Sequence, residues 1–407
     1  MIQVPTVDSA DLTSGADPSR GADPLAEWGR RPFGRGPAVS VFTLGTMRAL
    51  EKPEQMEAVL RAALKAGINH IETAPAYGPA ESFLGQALAT LHGEGLEPPG
   101  GWLITSKVLP GADLEASQQQ VRAIVQRLGK APLTSLAVHG LNRPEHLAWA
   151  LQGPGAELLA WAQGEGLASQ VGFSSHGSNA LIEAALACGR FQFCSLHLHL
   201  FDQTRLPLAQ AALAGGLGVM AISPADKGGR LYDPSPELLS DCAPFHPLEL
   251  AYRFLLAQGI STLTLGAAQP KDLVWATRLA DPTARDHQGS PELLAAALKR
   301  LAAAGAARLG PERCGQCRAC LPCPSQVPIP ELLRLRNLAL GHGMTAFASE
   351  RYNLIGRAGH WWEEVDARAC ERCEACLPRC PLGLPIPDLL ADTHQRLAAA
   401  PKRRLWG

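Results

Sequence analysis

Ala66-Gly-Ile-Asn-His-Ile-Glu-Thr-Ala-Pro-Ala-Tyr-Gly-Pro-Ala-Glu81 holds one unit of a repeating plan. A helical pattern over residues 53–66 leads into it, residues 70–74 read as a short strand, Tyr77 falls on the loop beyond, and residues 81–91 resume a helical pattern. Side chains of a strand alternate between its two faces, so His70, Glu72 and Ala74 share one of them. The same plan recurs on both sides of this stretch. Short aliphatic strands are expected at 40–44, 103–108, 135–140, 170–175, 194–200, 218–223 and 261–266. Amphipathic helices are expected at 114–128, 145–152 with 156–165, 179–188, 207–214, 246–258 and 270–279. Eight strand-helix units in about 240 residues predict an α/β chain with a (β/α)8 TIM barrel over residues 30–281, its active site at the C-terminal ends of the strands.

Alternation along the neighbouring strands then nominates a site. Thr105 and Lys107 share a face of the third strand, and Ala137 and His139 share a face of the fourth. If these faces point inward, Glu72, Lys107 and His139 meet at the barrel mouth beneath Tyr77. Such a group suits carbonyl reduction: the phenol donates the proton, the ammonium lowers the phenolic pKa, the carboxylate holds the lysine and the imidazole orients the carbonyl oxygen. Singly, each residue has a structural reading as ion pair, loop anchor or core histidine. On the sixth strand Ser195, His197 and His199 alternate inward and read as a polar layer or pocket wall, with a two-histidine metal site as the incomplete alternative.

The stretch at 66–81, followed by Ile104-Thr-Ser-Lys107, Val138-His-Gly-Leu-Asn142, Gly172-Phe-Ser-Ser-His176 and Leu265-Gly-Ala267, resembles the aldo-keto reductase family over residues 30–280. The resemblance implies a (β/α)8 barrel that binds NADP(H) in extended form, with Glu72, Tyr77, Lys107 and His139 as its catalytic tetrad. It also marks Ser174, Ser175, Ser195, Ser223 and Gly266 as cofactor-binding positions. The chain departs from the family at several of them. The tetrad carboxylate is Glu72 where the family has aspartate, a Ser-Asn pair becomes Ser174-Ser175, a glutamine becomes Ser195, and a stacking aromatic becomes Ile222. Where the family grips the adenosine 2′-phosphate, this chain has Ala268, Gln269, Asp272, Trp275 and Ala276, and an acid there repels phosphate. Asp226-Lys-Gly-Gly-Arg230 is a glycine-containing loop in which Arg230 is placed to neutralise a pyrophosphate.

Beyond a linker and helix at 282–310, two cysteine runs define a second domain at 311–400: Cys314-x2-Cys317-x2-Cys320-x2-Cys323-Pro324 and Cys370-x2-Cys373-x2-Cys376-x3-Cys380-Pro381. Three thiolates at every third position wrap one 4Fe-4S cluster, and a fourth followed by proline reaches to a neighbour, as in two-cluster bacterial ferredoxins. If crossed ligation follows that pattern, Cys314, Cys317, Cys320 and Cys380 hold one cluster, and Cys370, Cys373, Cys376 and Cys323 the other. Structural zinc and disulfides are the alternatives. Each run leads into a matching phrase, Cys323-Pro-Ser-Gln-Val-Pro-Ile-Pro330 and Cys380-Pro-Leu-Gly-Leu-Pro-Ile-Pro387, an internal repeat that starts a helix on proline. Residues 330–362 read as mostly helical with breaks at Asn353, Gly356 and Gly359, and Trp361 and Trp362 as packing between domains. With the runs attached, the chain resembles the aldo-keto reductase branch that carries a small, mostly helical ferredoxin-like iron-sulfur domain. Cys188, Cys194 and Cys242 lie outside ligand spacing and read as packed or free thiols.

Hydrophobic residues make up 46 % of the chain and charged residues 18 %, with a net charge of −1, which argues against a nucleic-acid partner. No stretch is apolar enough to span a membrane. Residues 1–29 read as a flexible leader without a secretory pattern, and thiolates in cluster spacing suit a reducing compartment, so the expected location is the cytoplasm. Two functions fit. The first is an oxidoreductase acting on a small carbonyl or alcohol, with electrons passing through two 4Fe-4S clusters, NADP(H) as hydride carrier and a ferredoxin or flavodoxin as outside partner. The second is an electron-transfer or redox-sensing protein built on a catalytically silent barrel.

Overall fold

All eight expected strands find parallel neighbours. The computed structural model describes residues 29–130, 132–225, 231–280, 290–356 and 364–399. Two strands, β1 (Arg30–Phe33) and β2 (Gly36–Ser40), form an antiparallel hairpin. Then follow β3 (Phe42–Gly45), β4 (His70–Glu72), β5 (Leu103–Val108), β6 (Leu133–Val138), β7 (Ala168–Ser175), β8 (Phe193–His197), β9 (Gly218–Ile222) and β10 (Thr262–Gly266). These eight close into a barrel in chain order, with β10 returning to β3. In register, Gly45 stands beside Glu72, Glu72 beside Thr105, and Lys107 beside Ala137, so the expected site residues rise on adjacent strands.

The hairpin was not expected from the sequence. Its turn uses Gly34 at φ 61°, where an added Cβ would strike the Gln192 carbonyl oxygen. Phe33 enters the foot of the barrel and packs against His70 and Phe193 at centroid distances of 5.3 and 5.1 Å, while Gln170 Nε2 donates to the Phe33 carbonyl and to Ser135 Oγ. With Val39, Leu103 and Met220 it forms an apolar floor. Above the floor lies a buried polar layer in which His70 bridges Thr43 Oγ1 and Thr105 Oγ1, each at 2.8 Å, and Thr43 meets Thr262 Oγ1 at 2.7 Å. Complete burial lowers the His70 pKa to about 3, so the ring is neutral there.

The helices follow their sequence signals. Helix α1 (Pro53–Lys65) starts on proline, and α2 (Ala80–Gly93) follows the Tyr77 loop. Helix α3 (Leu114–Leu128) is capped by the Asp113 carboxylate, which accepts from the Ala116 N–H, and it stops at Gly129 in the left-handed region. It buries Val121, Ile124 and Leu128 at helical spacing. Helices α4 (Pro144–Gln152), α5 (Pro154–Gly164), α6 (Asn179–Ala187) and α7 (Leu206–Ala214) continue the alternation. Next come α8 (Pro236–Cys242), α9 (Pro247–Ala257) and α10 (Val274–Ala280).

The chain divides into two compact units. One comprises the described residues within Met1–Pro224 and Tyr252–Pro291, the other those within Ala225–Ala251 and Glu292–Gly407. The division differs from a simple barrel-then-tail partition, because the described residues within Ala225–Ala251 group with the C-terminal residues. Helix α8 explains it. Ser235 Oγ donates to the His342 carbonyl, Arg300 Nε donates to the Asp241 carbonyl, and Arg308 pairs with the Asp241 carboxylate. The C-terminal unit is helical, built from α11 (Pro291–Leu309), α12 (Ile329–His342), α13 (Thr345–Tyr352) and α14 (Ile386–Leu397) around Leu332, Leu335, Leu389 and Leu390. Helix α12 ends at Gly343 (φ 65°), a break the sequence reading did not include, whereas the break at Asn353 is the C-cap of α13. The leader over residues 1–28, the Arg230 loop, Gly359, Trp361 and Trp362 lie outside the described residues. No helix among the described residues is long and apolar enough to cross a membrane.

Candidate active site

Glu72 is the last residue of β4 and Lys107 the fifth of β5, so pleating aims both into the barrel, where they are nearly inaccessible. Their ammonium and carboxylate are in direct contact. A short 3₁₀ turn, Pro75–Tyr77, brings the Tyr77 phenol back over the strand ends. There the Tyr77 hydroxyl donates to Glu72 Oε1 at 3.0 Å and accepts from Lys107 Nζ at 2.9 Å. Lys107 Nζ also donates to the Thr73 carbonyl at 3.0 Å. His139, one residue past β6, meets the Tyr77 ring edge-on at 5.8 Å and an interplanar angle of 89°. The four expected tetrad residues therefore form one connected group.

Burial pushes Lys107 well below an ordinary lysine pKa and pushes the Tyr77 phenol up. Each shift disfavours the charged form, and the contact with the Glu72 carboxylate works against the first by favouring the ammonium. The phenol is thus a protonated donor in the resting site. On β8, His197 Nε2 lies 3.3 Å from Nε2 of His176, which stands just past the end of β7, one ring donating to the other. His176 stood in a motif quoted above without an assigned role, and period-two alternation, which nominates only strand residues, does not reach it.

The expected cofactor contacts are more committed than the tetrad. Ser175 Oγ donates to the Leu141 carbonyl and accepts from Gly177 N–H, which uses its proton within the barrel. Ser174 Oγ accepts from Gly140 N–H and keeps its own proton to donate. Ser195 Oγ lies 3.8 Å from Met220 Sδ. Ser223 sits in the left-handed region at φ 52°, and a Cβ at Gly266 would lie 3.1 Å from the Arg48 side chain. Asp272 Oδ2 accepts the backbone N–H groups of Ala268 and Gln269, so a carboxylate of the chain already occupies those donors. Burial pushes Cys194 and Cys242 up to about 12, which makes them inert thiols.

In the C-terminal unit, two small cavities form at the cysteine runs. Cys314, Cys317, Cys320 and Cys380 line one; Cys323, Cys370, Cys373 and Cys376 line the other. Each cavity thus takes three cysteines from one run and the last cysteine of the other. The runs have the same backbone shape, with the third and fifth residues left-handed: Gln316 and Arg318 at φ 58° and 63°, Arg372 and Glu374 at 54° and 60°. Alternating left-handed residues turn successive N–H groups to one side, the nest geometry that receives anions. Among the described residues, no set of three or more histidine, cysteine, aspartate or glutamate side chains converges on a single-ion position.

Residues 42–238, just under half of the chain, match the model of the aldo/keto reductase family. The barrel carries an aldo/keto reductase domain. With that domain the protein is an oxidoreductase. The fold has the same company. An aldo-keto reductase from Bacillus halodurans in its holo form is similar at a TM-score of 0.55 and 18 % identity, over 67 % of this chain and 95 % of that one. An aldo-keto reductase from Bombyx mori, solved in complex with NADP, is similar at 0.50 and 20 % identity, over 67 % and 92 %. A third aldo-keto reductase, solved with NADPH, gives 0.54 and 18 %, over 67 % and 87 %. No curated protein matches the chain significantly.

Proposed function

We propose that this aldo/keto reductase domain protein reduces a small carbonyl, or oxidises the matching alcohol, at the barrel mouth, and exchanges electrons through two 4Fe-4S clusters in its C-terminal unit. The observation that carries the reading is the Tyr77 hydroxyl, held between Lys107 and Glu72 with His139 against its ring. In the reducing direction Tyr77 gives its proton to the carbonyl oxygen as carbon gains hydride. Lys107, 2.9 Å away, stabilises the phenolate left behind, and His139 orients the oxygen. In the oxidising direction the phenolate takes the alcohol proton.

A nicotinamide, when bound, supplies the hydride, and NADP(H) is the candidate because two of the similar barrels were solved with it. Ser174 is the serine with a proton left to offer it; Ser175 is not. Of the clusters, one would be held by Cys314, Cys317, Cys320 and Cys380, the other by Cys370, Cys373, Cys376 and Cys323, and when bound they supply one-electron transfer. The crossed lining of the two cavities and their left-handed loops support this. A ferredoxin or flavodoxin is the outside carrier that such clusters imply.

The engaged Ser175 hydroxyl and the Asp272 carboxylate favour a second reading, an electron-transfer or redox-sensing protein on a silent barrel. One experiment separates the two. Cluster-loaded protein is titrated with NADPH without oxygen, following cluster absorbance and electron paramagnetic resonance. Bleaching supports the reductase. If only dithionite bleaches the clusters, NADPH is not their donor, and the scaffold reading takes its place unless the barrel turns over substrate independently.

A further inference from the structure

The internal repeat pairs the linings of the two cavities residue by residue. Pro330, Leu333 and Ile386 in the first answer to Pro387, Leu390 and Ile329 in the second, so the inner walls are of one kind. Three paired positions differ: Gly315 against Glu371, Arg318 against Glu374, and Leu382 against Ser325. They lie where each cavity meets solvent, because Cys317 and Cys373 are the exposed cysteines of their runs.

The two edges carry opposite charge. Beside Cys317, the Glu331 carboxylate is shared by Arg318 at 3.3 Å and Arg334 at 3.2 Å, so two cations face one anion and the group stays positive. Of the two cations Arg318 is the more exposed. Leu382, 52 % exposed, closes on the same rim, its Cδ1 3.4 Å from where a Gly315 Cβ would stand. Gln316 is buried and adds nothing to this edge. Beside Cys373, the exposed Arg372 is paired with Asp388, and Glu371 and Glu374 are exposed. Arg379, the extra residue of the longer run, turns to the Ala375 and Pro322 carbonyls and leaves that edge with one net negative charge. Weak electron-transfer encounters use small interfaces, and complementary charge steers them. An apolar contact flanked by a cation suits a partner with acidic groups around its own redox centre.

We propose that the edge formed by Cys317, Arg318 and Leu382 is the docking surface for an outside one-electron carrier protein with an acidic face, and that the Cys373 edge repels the same carrier. This rests on the cluster reading above. In one encounter the reduced carrier gives up one electron and the oxidised protein accepts it, with no bond formed and no proton moved.

The test uses reconstituted full-length protein and an acidic plant-type ferredoxin as probe. Calorimetry with both proteins oxidised measures binding without electron transfer, and anaerobic stopped-flow mixing with reduced ferredoxin measures the transfer rate. The expected result is binding at low salt that weakens as salt rises, with the rate falling in parallel. Arg318→Glu lowers affinity and rate by about tenfold or more at low salt and approaches wild type at high salt. Glu374→Gln on the other edge weakens neither. No binding at low salt overturns the proposal, as does an Arg318→Glu protein that binds like wild type or a loss found with Glu374→Gln instead. Should Arg318→Glu fail to take up iron, Leu382→Glu, which places the repelling charge on an exposed side chain, is measured in its place with the same criteria. Iron and sulfide analysis keeps the two levels distinct: wild-type protein that takes up neither overturns the cluster reading itself.

Discussion

Glu72 is one methylene longer than the aspartate this position resembles, and the added length brings its Oε1 to the Tyr77 hydroxyl as well as to Lys107. The phenol proton therefore points at a carboxylate in the resting site. Removing the phenol, Tyr77→Phe, should lower carbonyl reduction by about 10²–10⁴-fold, the usual contribution of a positioned acid, while cluster spectra stay as they are. Unchanged turnover would exclude Tyr77 as the acid. Glu72→Asp should draw the carboxylate back from the phenol, keep Lys107 paired and raise kcat severalfold, by analogy with other well-placed acids; steady-state kinetics that show a lower kcat would sink the idea. His70 gives a pH dependence. Its folded pKa of about 3 lies below the ordinary 6.5, so the unfolded chain binds a proton that the barrel refuses. Stability is complete above about pH 6.5 and falls as pH drops toward about 3, by up to about 1.4 kcal/mol per pH unit. His70→Asn should flatten that slope in urea unfolding at several pH values; an unaltered slope would assign it to other groups. The shared faces of Glu72, Lys107 and His139 were legible in the sequence because strand pleating has period two, although which face turns inward was not. The link from Glu72 to Tyr77 was not, since it depends on how far one side chain reaches.

Repetition governs the C-terminal unit at the scale of its elements. Gln326 follows Cys323 by three residues as Gly383 follows Cys380, and both are left-handed, at φ 56° and 62°. Each N–H closes the same turn, to the carbonyl of Cys323 at 3.0 Å and of Cys380 at 3.1 Å. Helices α12 and α14 then begin from prolines of matching geometry. A left-handed residue with a Cβ costs about 1–2 kcal/mol relative to glycine, and the Gln326 side chain is exposed. Gln326→Gly should therefore stabilise the unit by about 1 kcal/mol, and Gly383→Gln should destabilise it by a similar amount, in chemical denaturation with the clusters in place. Equal stability of all three proteins would show that these turns carry no strain. The repeat itself was legible, because cysteine and proline spacing survives in one dimension. The burial of Gln316 was not, since nothing in its neighbours along the chain separates it from Arg372.

For the molecule as a whole, sequence order proved a partial guide to grouping. The eight strands and their closure could be read off because each unit is local, while the allegiance of Ser235 and Asp241 in helix α8 and its cap is set by partners more than fifty positions away, Arg300, Arg308 and His342. A chain ending at residue 290 strips Ser235 and Asp241 of those partners. It should melt lower than the full protein and tend to aggregate; calorimetry that finds an unchanged barrel transition would show that the segment folds without them. The barrel foot carries a different lesson. With Phe33 filling the floor and Gln170 fastening its carbonyl, the lumen is a cul-de-sac. Any small molecule that reaches the tetrad must then enter and leave by the same opening, at the C-terminal ends of the strands.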